Sequence, residues 1–403
     1  MTGTGEILTE AGFLHGAVER LTLAAARSLR VGRLALRLPS GSRRIIEGMT
    51  AGPSAAVQVH RWRAVGRLVV GGGIGLGEGY VAGDWDTDDL TAVLALAGLN
   101  LDATGLLRGR ATRRAARYLN HLVHGNSRRG ARRNIAFHYD LGNYFYRLWL
   151  DESMAYSSAL FARPGEDLAA AQVNKYRRIA ELAHIRPDHR LLEIGCGWGG
   201  FATWLARTIG CRVTAVTISD AQYDFAAAEV QRLGLGERVT IRRQDYRDIA
   251  GRFDRIASIE MLEAVGERYW PVFFRKLHDC LAPGGQAALQ VITIADRAFE
   301  RYRHGIDFVQ KHIFPGGMLP SPAAMTREIE RAALVRHQDD GFGPHYADTL
   351  ALWRQRFESA WPQIAPLGFD ERFRRLWRFY LAYCEAGFRI GRVDVRQLVV
   401  QRP

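Results

Sequence analysis

The chain has 403 residues, long enough for two or three domains. It is 47% hydrophobic and 24% charged, a globular balance that excludes a disordered or fibrous chain. Lys and Arg number 55 against 42 Asp and Glu, and the net charge of +13 favours an anionic partner, nucleic acid or anionic lipid.

Four scattered cysteines (Cys196, Cys211, Cys280, Cys384) form no C-x-x-C pair, so reduced thiols and no metal site are expected. The N-terminus lacks a signal-peptide pattern and no run of eighteen apolar residues exists. A cytoplasmic protein that meets a membrane only from its surface fits these features.

Residues 1–105 read as a smaller α+β N-terminal domain. Leu8 to Leu29 has helical amphipathicity, and Leu34–Leu38, Ala56–Val59 and Leu68–Val70 read as short strands. Pro39-Ser40-Gly41-Ser42 is a turn. The glycine-rich run Gly71 to Tyr80 lacks a P-loop ending and reads as a structural turn. Asp84 to Asp89 caps a helix from Leu90 to Leu99. Residues 106–133 form a basic helix and linker. Arg110, Arg113, Arg114 and Arg117 share one helical face, and Arg128, Arg129, Arg132 and Arg133 follow in the linker. No acidic residue interrupts Arg108 to Arg133, which suits an anionic membrane surface.

From 134 to 403 the pattern is that of an α/β domain. Tyr144–Leu150 and Leu168–Ala183 read as helices, and Arg190–Ile194 as a buried strand. That strand ends in Gly195-Cys196-Gly197-Trp198-Gly199-Gly200, followed by a helix from Phe201. Glycines there permit φ > 0 and close approach of a ligand. The spacing is G-x-G-x-G, not the dinucleotide G-x-G-x-x-G, and suits a cofactor with an amino-acid tail, S-adenosylmethionine. Strands at Arg212–Val216, Val239–Arg242, Phe253–Ile259 and Gln286–Thr293 alternate with helices, and polar residues gather at their carboxyl ends. Two aromatic-rich helices, Thr349–Trp361 and Asp370–Phe388, and a strand, Val393–Gln401, complete the chain.

These residues resemble the cyclopropane-fatty-acid synthase family of S-adenosylmethionine-dependent transferases, over nearly the whole chain. The likeness rests on Gly75–Tyr80 with Gly83-Asp84-Trp85, on His138 to Asn143, and on Glu193 to Gly200. It continues through Val216 to Ser219 with Gln222, Gln244 to Asp248, Phe314 to Gly317 and Tyr380 to Phe388. The resemblance implies a Rossmann-like S-adenosylmethionine methyltransferase domain beside the smaller domain. It assigns cofactor contacts to Tyr156, Ser157, Gly195, Gly197, Thr217, Gln222, Asp245 and Tyr246. It also implies the reaction. A cis double bond of a phospholipid acyl chain attacks the sulfonium methyl, a carbocation forms, and a base removes a proton.

Ring-forming members hold a bicarbonate ion as that base, with a Cys, a Glu, a His and a Tyr. Glu263 and Tyr346 match two of these, but Ser158 stands for the Cys and Gln290 for the His. Cys384 joins them as a catalytic candidate. Ser and Gln donate hydrogen bonds to an anion, yet neither brings the charge or titration of a His. Bicarbonate binding is therefore open, and so is the product, with a methyl or methylene branch favoured slightly over a cyclopropane. The partner expected is an unsaturated acyl chain at an anionic membrane surface; a homodimer is left open. Two rivals are a nucleic-acid methyltransferase, which lacks the Asn/Asp-Pro-Pro-Tyr tetrapeptide here, and a lipid-binding protein with a decayed site.

Overall fold

The computed structural model describes residues 28–101, 126–139 and 141–403. They fall into two compact units, one of residues 28–101 with Asp370–Ile390, the other of residues 126–369 with Gly391–Pro403.

The first unit carries a four-stranded sheet. Its strands are β1 (Val31–Arg37), β2 (Arg43–Glu47), β3 (Thr50–Val59) and β4 (Trp85–Asp86), in the order β2-β1-β3-β4. The helix Leu90–Leu99 starts at Asp89, whose side chain accepts from the Ala92 N–H at 2.9 Å, as expected of an N-cap. The helix Glu371–Arg389 also belongs to this unit, although the sequence reading runs the second domain through residue 403. Its Arg375 donates to the Tyr80 and Trp85 carbonyls and to Asp86, and lies over the Tyr80 ring.

The glycine-rich run corrects the sequence reading. It is not a turn but the helix Gly73–Val81, preceded by a helix, Arg63–Gly71, that absorbs the expected strand Leu68–Val70. Gly72, at φ +57°, makes the break between them. A Cβ on Gly75 would lie 1.8 Å from the Arg67 carbonyl oxygen, so the absent side chain lets the two helices touch. Gly75→Ala is expected to cost about 1–3 kcal/mol by forcing them apart. Gly66→Ala, whose Cβ meets open space, is expected to be neutral or to stabilise by up to about 1 kcal/mol. Denaturant unfolding of both variants checks the contrast.

The second unit is built on a seven-stranded sheet. Its strands are β5 (Arg190–Ile194), β6 (Arg212–Thr217), β7 (Val239–Arg243), β8 (Phe253–Ile259), β9 (Leu281–Ile294), β10 (Val335–Gly341) and β11 (Val393–Gln401). The order is β10-β11-β9-β8-β5-β6-β7. Strands β7, β6, β5, β8 and β9 run parallel, and β11 and β10 add antiparallel pairs at one side. Apolar strand residues pack on both faces. Leu192, Ile256 and Leu289 join one core cluster, and Leu191, Val213 and Ala257 join the other. Strand order reverses between β5 and β8, which opens a crevice at their carboxyl ends.

Residues 128–139 form a helix where a linker was expected, with Arg128 paired to Asp248 at 2.6 Å. Strands β2 and β10 and the helices Asp296–Arg303, Phe308–His312 and Pro322–Arg331 were not expected from the sequence. The amphipathic segment before residue 28, the arginine face at Arg110 to Arg117, and Asp140 of the His138–Asn143 motif lie outside the described residues. Among the described residues no helix is long and apolar enough to cross a membrane.

Candidate active site

The turn after β5 is shaped by its glycines. Gly195, Gly197 and Gly199 sit at φ +82°, +54° and +84°. The N–H groups of Gly195 and Cys196 both donate to the Val216 carbonyl at 3.0 Å, which ties the turn to the end of β6. Gly200 starts the next helix with no room for a side chain, since its Cβ would lie 2.5 Å from the Ser153 carbonyl oxygen.

A second segment closes over this turn. Trp198 donates its indole N–H to Asn143 at 2.8 Å, and its ring lies 5.0 Å from that of Tyr146. Asp151 accepts from the Ser153 N–H, the Ser153 hydroxyl and the Ala155 N–H, which folds the loop that carries Tyr156 and Ser157. The Lys175 ammonium donates to the Ser157 hydroxyl at 2.7 Å.

All eight residues expected to contact the cofactor line one cavity at the crevice: Tyr156, Ser157, Gly195, Gly197, Thr217, Gln222, Asp245 and Tyr246. Thr217 donates to the Gln222 side-chain oxygen at 2.8 Å. Asp245 is held by Arg247 through a two-point pair at 2.8 and 2.6 Å, which keeps its carboxyl below the usual range although burial opposes this. Glu193 also lines the cavity, and its Oε2 has no hydrogen-bond partner among the described residues. Burial pushes its pKa up to about 8, with the Lys175 ammonium pulling it down. A cavity with an unpartnered carboxyl oxygen at its glycine turn fits the α-ammonium of a methionine tail.

Tyr156 of the lining is backed by further rings. The Tyr156 ring packs 5.5 Å from Tyr146, 5.5 Å from Trp149 and 5.2 Å from Trp353, and Tyr346 meets Trp353 edge-on at 6.1 Å. The Tyr156 ring presents π density to a cation in the cavity, and the rings packed behind it exclude water.

Three of the residues singled out as catalytic candidates lie together. Ser158, Gln290 and Tyr346 converge on one carboxylate, and it is Glu260, which the sequence reading did not single out, rather than Glu263. The Ser158 backbone N–H and the Gln290 amide donate to Glu260 Oε1 at 2.8 and 2.7 Å, and the Tyr346 hydroxyl donates to Oε2 at 2.7 Å. Glu260 lines the cavity and its three donors stand behind it. The Ser158 hydroxyl turns away and donates to the Ala159 carbonyl at 3.0 Å, so its contribution is the backbone N–H. Desolvation raises the Glu260 pKa, opposed by the three hydrogen bonds.

Glu263 sits on the short helix Leu262–Val265, where its carboxylate accepts from the Ile292 N–H. Its Oε2 has no hydrogen-bond partner among the described residues, and it does not line the cavity. Burial pushes its pKa up to about 8, with the charge of Glu260 adding to the shift. Cys384 lies on the helix Glu371–Arg389 of the first unit and does not line the cavity. The signal that could have found Glu260 is its place as the first residue after β8, at the mouth of the crevice.

Residues 126–398 match the family model described as mycolic acid cyclopropane synthetase. The tuberculostearic acid methyltransferase UfaA1 of Mycobacterium tuberculosis is 40% identical over 360 residues, which cover 85% of this chain and 82% of that protein. The cyclopropane-fatty-acyl-phospholipid synthase of Escherichia coli is 34% identical over 340 residues, 83% of this chain and 85% of the other. The structure of mycolic acid cyclopropane synthase CmaA1 complexed with SAH and CTAB superposes with a TM-score of 0.63 at 29% identity, covering 67% of this chain and 98% of that one. With a Rossmann-like sheet, a glycine turn opening on a crevice and matches of this extent, the chain belongs to the mycolic acid cyclopropane synthetase family and is an S-adenosylmethionine-dependent methyltransferase.

Proposed function

We propose that the enzyme transfers the methyl carbon of S-adenosylmethionine to the cis double bond of an unsaturated phospholipid acyl chain and yields a methyl- or methylene-branched product. The observation that carries this reading is the pairing of an aromatic wall with an anchored carboxylate, Glu260, on one cavity. When bound, the cofactor supplies an electrophilic sulfonium methyl, to which the alkene π pair forms a carbon–carbon bond while the S–C pair returns to sulfur. The cation left on the acyl chain must be kept from water, and Tyr156 with Trp149 and Trp353 behind it serves that end. Gly195 and Gly197 admit the methionine portion, Glu193 meets its ammonium, and Thr217, Gln222, Asp245 and Tyr246 take the ribose and adenine side.

The branch is favoured by the likeness to a relative named a tuberculostearic acid methyltransferase. A cyclopropane is the second reading, favoured by the likeness to a cyclopropane-fatty-acyl-phospholipid synthase. The net charge of +13 suits an anionic membrane surface, which we place on the cytoplasmic side. The test is incubation with methyl-labelled S-adenosylmethionine and liposomes of a cis-monounsaturated phospholipid, then mass spectrometry and NMR of the released fatty acids. A labelled branch is expected. A cyclopropane as sole product would overturn the branch, and the absence of label from lipid would overturn the substrate class.

A further inference from the structure

The cluster around Glu260 is built as an anion site, and its anion is already part of the chain. Three donors from three segments close on one carboxylate: the loop at Ser158, strand β9 at Gln290 and the helix Gly343–Ile364 at Tyr346. Gln397 of β11 donates to the Gln290 side-chain oxygen at 2.9 Å, which turns the Gln290 amide N–H toward Glu260. Glu260 itself sits at φ +51°, in the left-handed region that a non-glycine residue occupies only when its surroundings impose it. This backbone kink at the end of β8 brings the side chain back to the cavity.

Ring-forming members of the family hold a bicarbonate ion, and the residues present here do not fit one. The Ser158 N–H, the Gln290 amide and the Tyr346 hydroxyl, which would hold such an ion, are engaged by Glu260. A free anion beside Glu260 would meet its charge, and Glu263 already feels that charge. Gln290 is a neutral donor, so it orients the carboxylate without competing for the proton.

We propose that Glu260 is the catalytic base of this enzyme, a tethered carboxylate in place of bicarbonate, and that turnover needs no bicarbonate. The inference rests on the methyl-transfer reading given above. After methyl transfer the Glu260 carboxylate accepts one proton from the cation. The C–H pair left behind forms the last bond. If the hydrogen of the methylated carbon first migrates with its pair to the cationic neighbour, loss from the incoming methyl gives a methylene branch. If it does not migrate, the same loss closes a ring. Charge balances in both, since the sulfonium becomes a neutral thioether and the carboxylate a carboxylic acid. Ser158, Gln290 and Tyr346 are positioning residues.

The test uses the full chain in buffer stripped of carbon dioxide, with and without added sodium bicarbonate. Wild-type turnover is expected to be the same in both, within about twofold, and Glu260→Gln to lose about 100-fold or more in both. S-adenosylhomocysteine affinity of the variant, measured by calorimetry, should stay within about threefold of wild type. Glu260→Gly frees the three donors and relieves the positive φ, and circular dichroism checks that the variant is folded. It should regain part of its turnover with bicarbonate and broaden the NMR resonance of 13C-labelled bicarbonate, which wild type should leave sharp.

A wild type that needs bicarbonate, or Glu260→Gln within about tenfold of wild type, would overturn the proposal. If wild type labels no lipid in either buffer, the methyl-transfer reading has failed. The resonance then judges the site by itself: broadening by wild type overturns the tethered carboxylate, and broadening by Glu260→Gly alone supports it.

Discussion

Replacing Gly195 with valine is expected to weaken S-adenosylmethionine binding by about 100-fold or more, close to 3 kcal/mol. Two effects add. The backbone at Gly195 has φ +82°, a conformation that a β-branched residue adopts only with strain of about 1–3 kcal/mol. Its new Cβ would also lie 2.6 Å from Met261 Cγ and 3.0 Å from Met261 Cβ. Met261 lines the cavity beside Glu260, so relief of the clash moves the wall that the cofactor meets. Gly234→Ala is the control for strain alone. Gly234 has φ +66° with open space around its Cβ and lies away from the cavity. It should lower stability by about 1 kcal/mol and leave affinity unchanged. Calorimetric titration of both variants with S-adenosylmethionine, with circular dichroism to confirm folding, decides the matter. Equal affinities for Gly195→Val and wild type would separate the turn from cofactor binding.

The legible parts of this fold are those where one local signal and the global packing agree. Strands β5, β8 and β11 carry apolar runs between turn signals, and their observed bounds match the sequence reading at Arg190–Ile194, Phe253–Ile259 and Val393–Gln401. The glycine run at 71–79 misled because local and tertiary demands conflict. Glycine is a poor helix former, so the run reads as a turn. The helix forms because Gly75 lets it cross its neighbour at contact distance, a gain that appears only in three dimensions. Helix Glu371–Arg389 shows the same limit in another way. Its aromatic periodicity is plain, but which unit buries Trp377 and Phe379 depends on how the chain returns.

The site divides along a similar line. The place of the cavity was legible because a ligand crevice at strand ends follows from the alternating α/β pattern, while its individual contact residues came from the family resemblance. The carboxylate on which Ser158, Gln290 and Tyr346 converge was not. Glu260 and Glu263 are three residues apart at the end of β8, and composition treats them alike. What separates them is a backbone angle. At φ +51° Glu260 turns to the cavity, whereas Glu263 sits in the short helix Leu262–Val265 and points its carboxyl at the Ile292 N–H. At Ser158, too, the group that meets Glu260 is the backbone N–H, which the identity of the side chain does not reveal.

Tyr346→Phe is expected to lower turnover about 10- to 100-fold at neutral pH and to shift the acid limb of the pH–rate profile upward. The Tyr346 hydroxyl donates to Glu260 Oε2 at 2.7 Å, and a hydrogen bond to a charged group contributes about 1.5–3 kcal/mol. That bond favours the ionised form, and it is the largest of the influences that hold the Glu260 pKa down against desolvation. The sign follows. Without the hydroxyl the pKa of Glu260 rises, a smaller fraction is ionised at a given pH, and the base is lost at a higher pH than in wild type. The deficit should therefore be greatest in mildly acidic buffer and shrink as pH rises past the new pKa, where a residual loss reflects a carboxylate held less firmly. Gln290→Leu should move the limb in the same direction by a smaller amount, because the amide is the next influence in order. In each case the KM for S-adenosylmethionine stays near the wild-type value, since neither side chain lines the cofactor cavity. A Tyr346→Phe profile that falls uniformly at every pH would mean that the ring, packed edge-on against Trp353, matters for shape rather than for the proton.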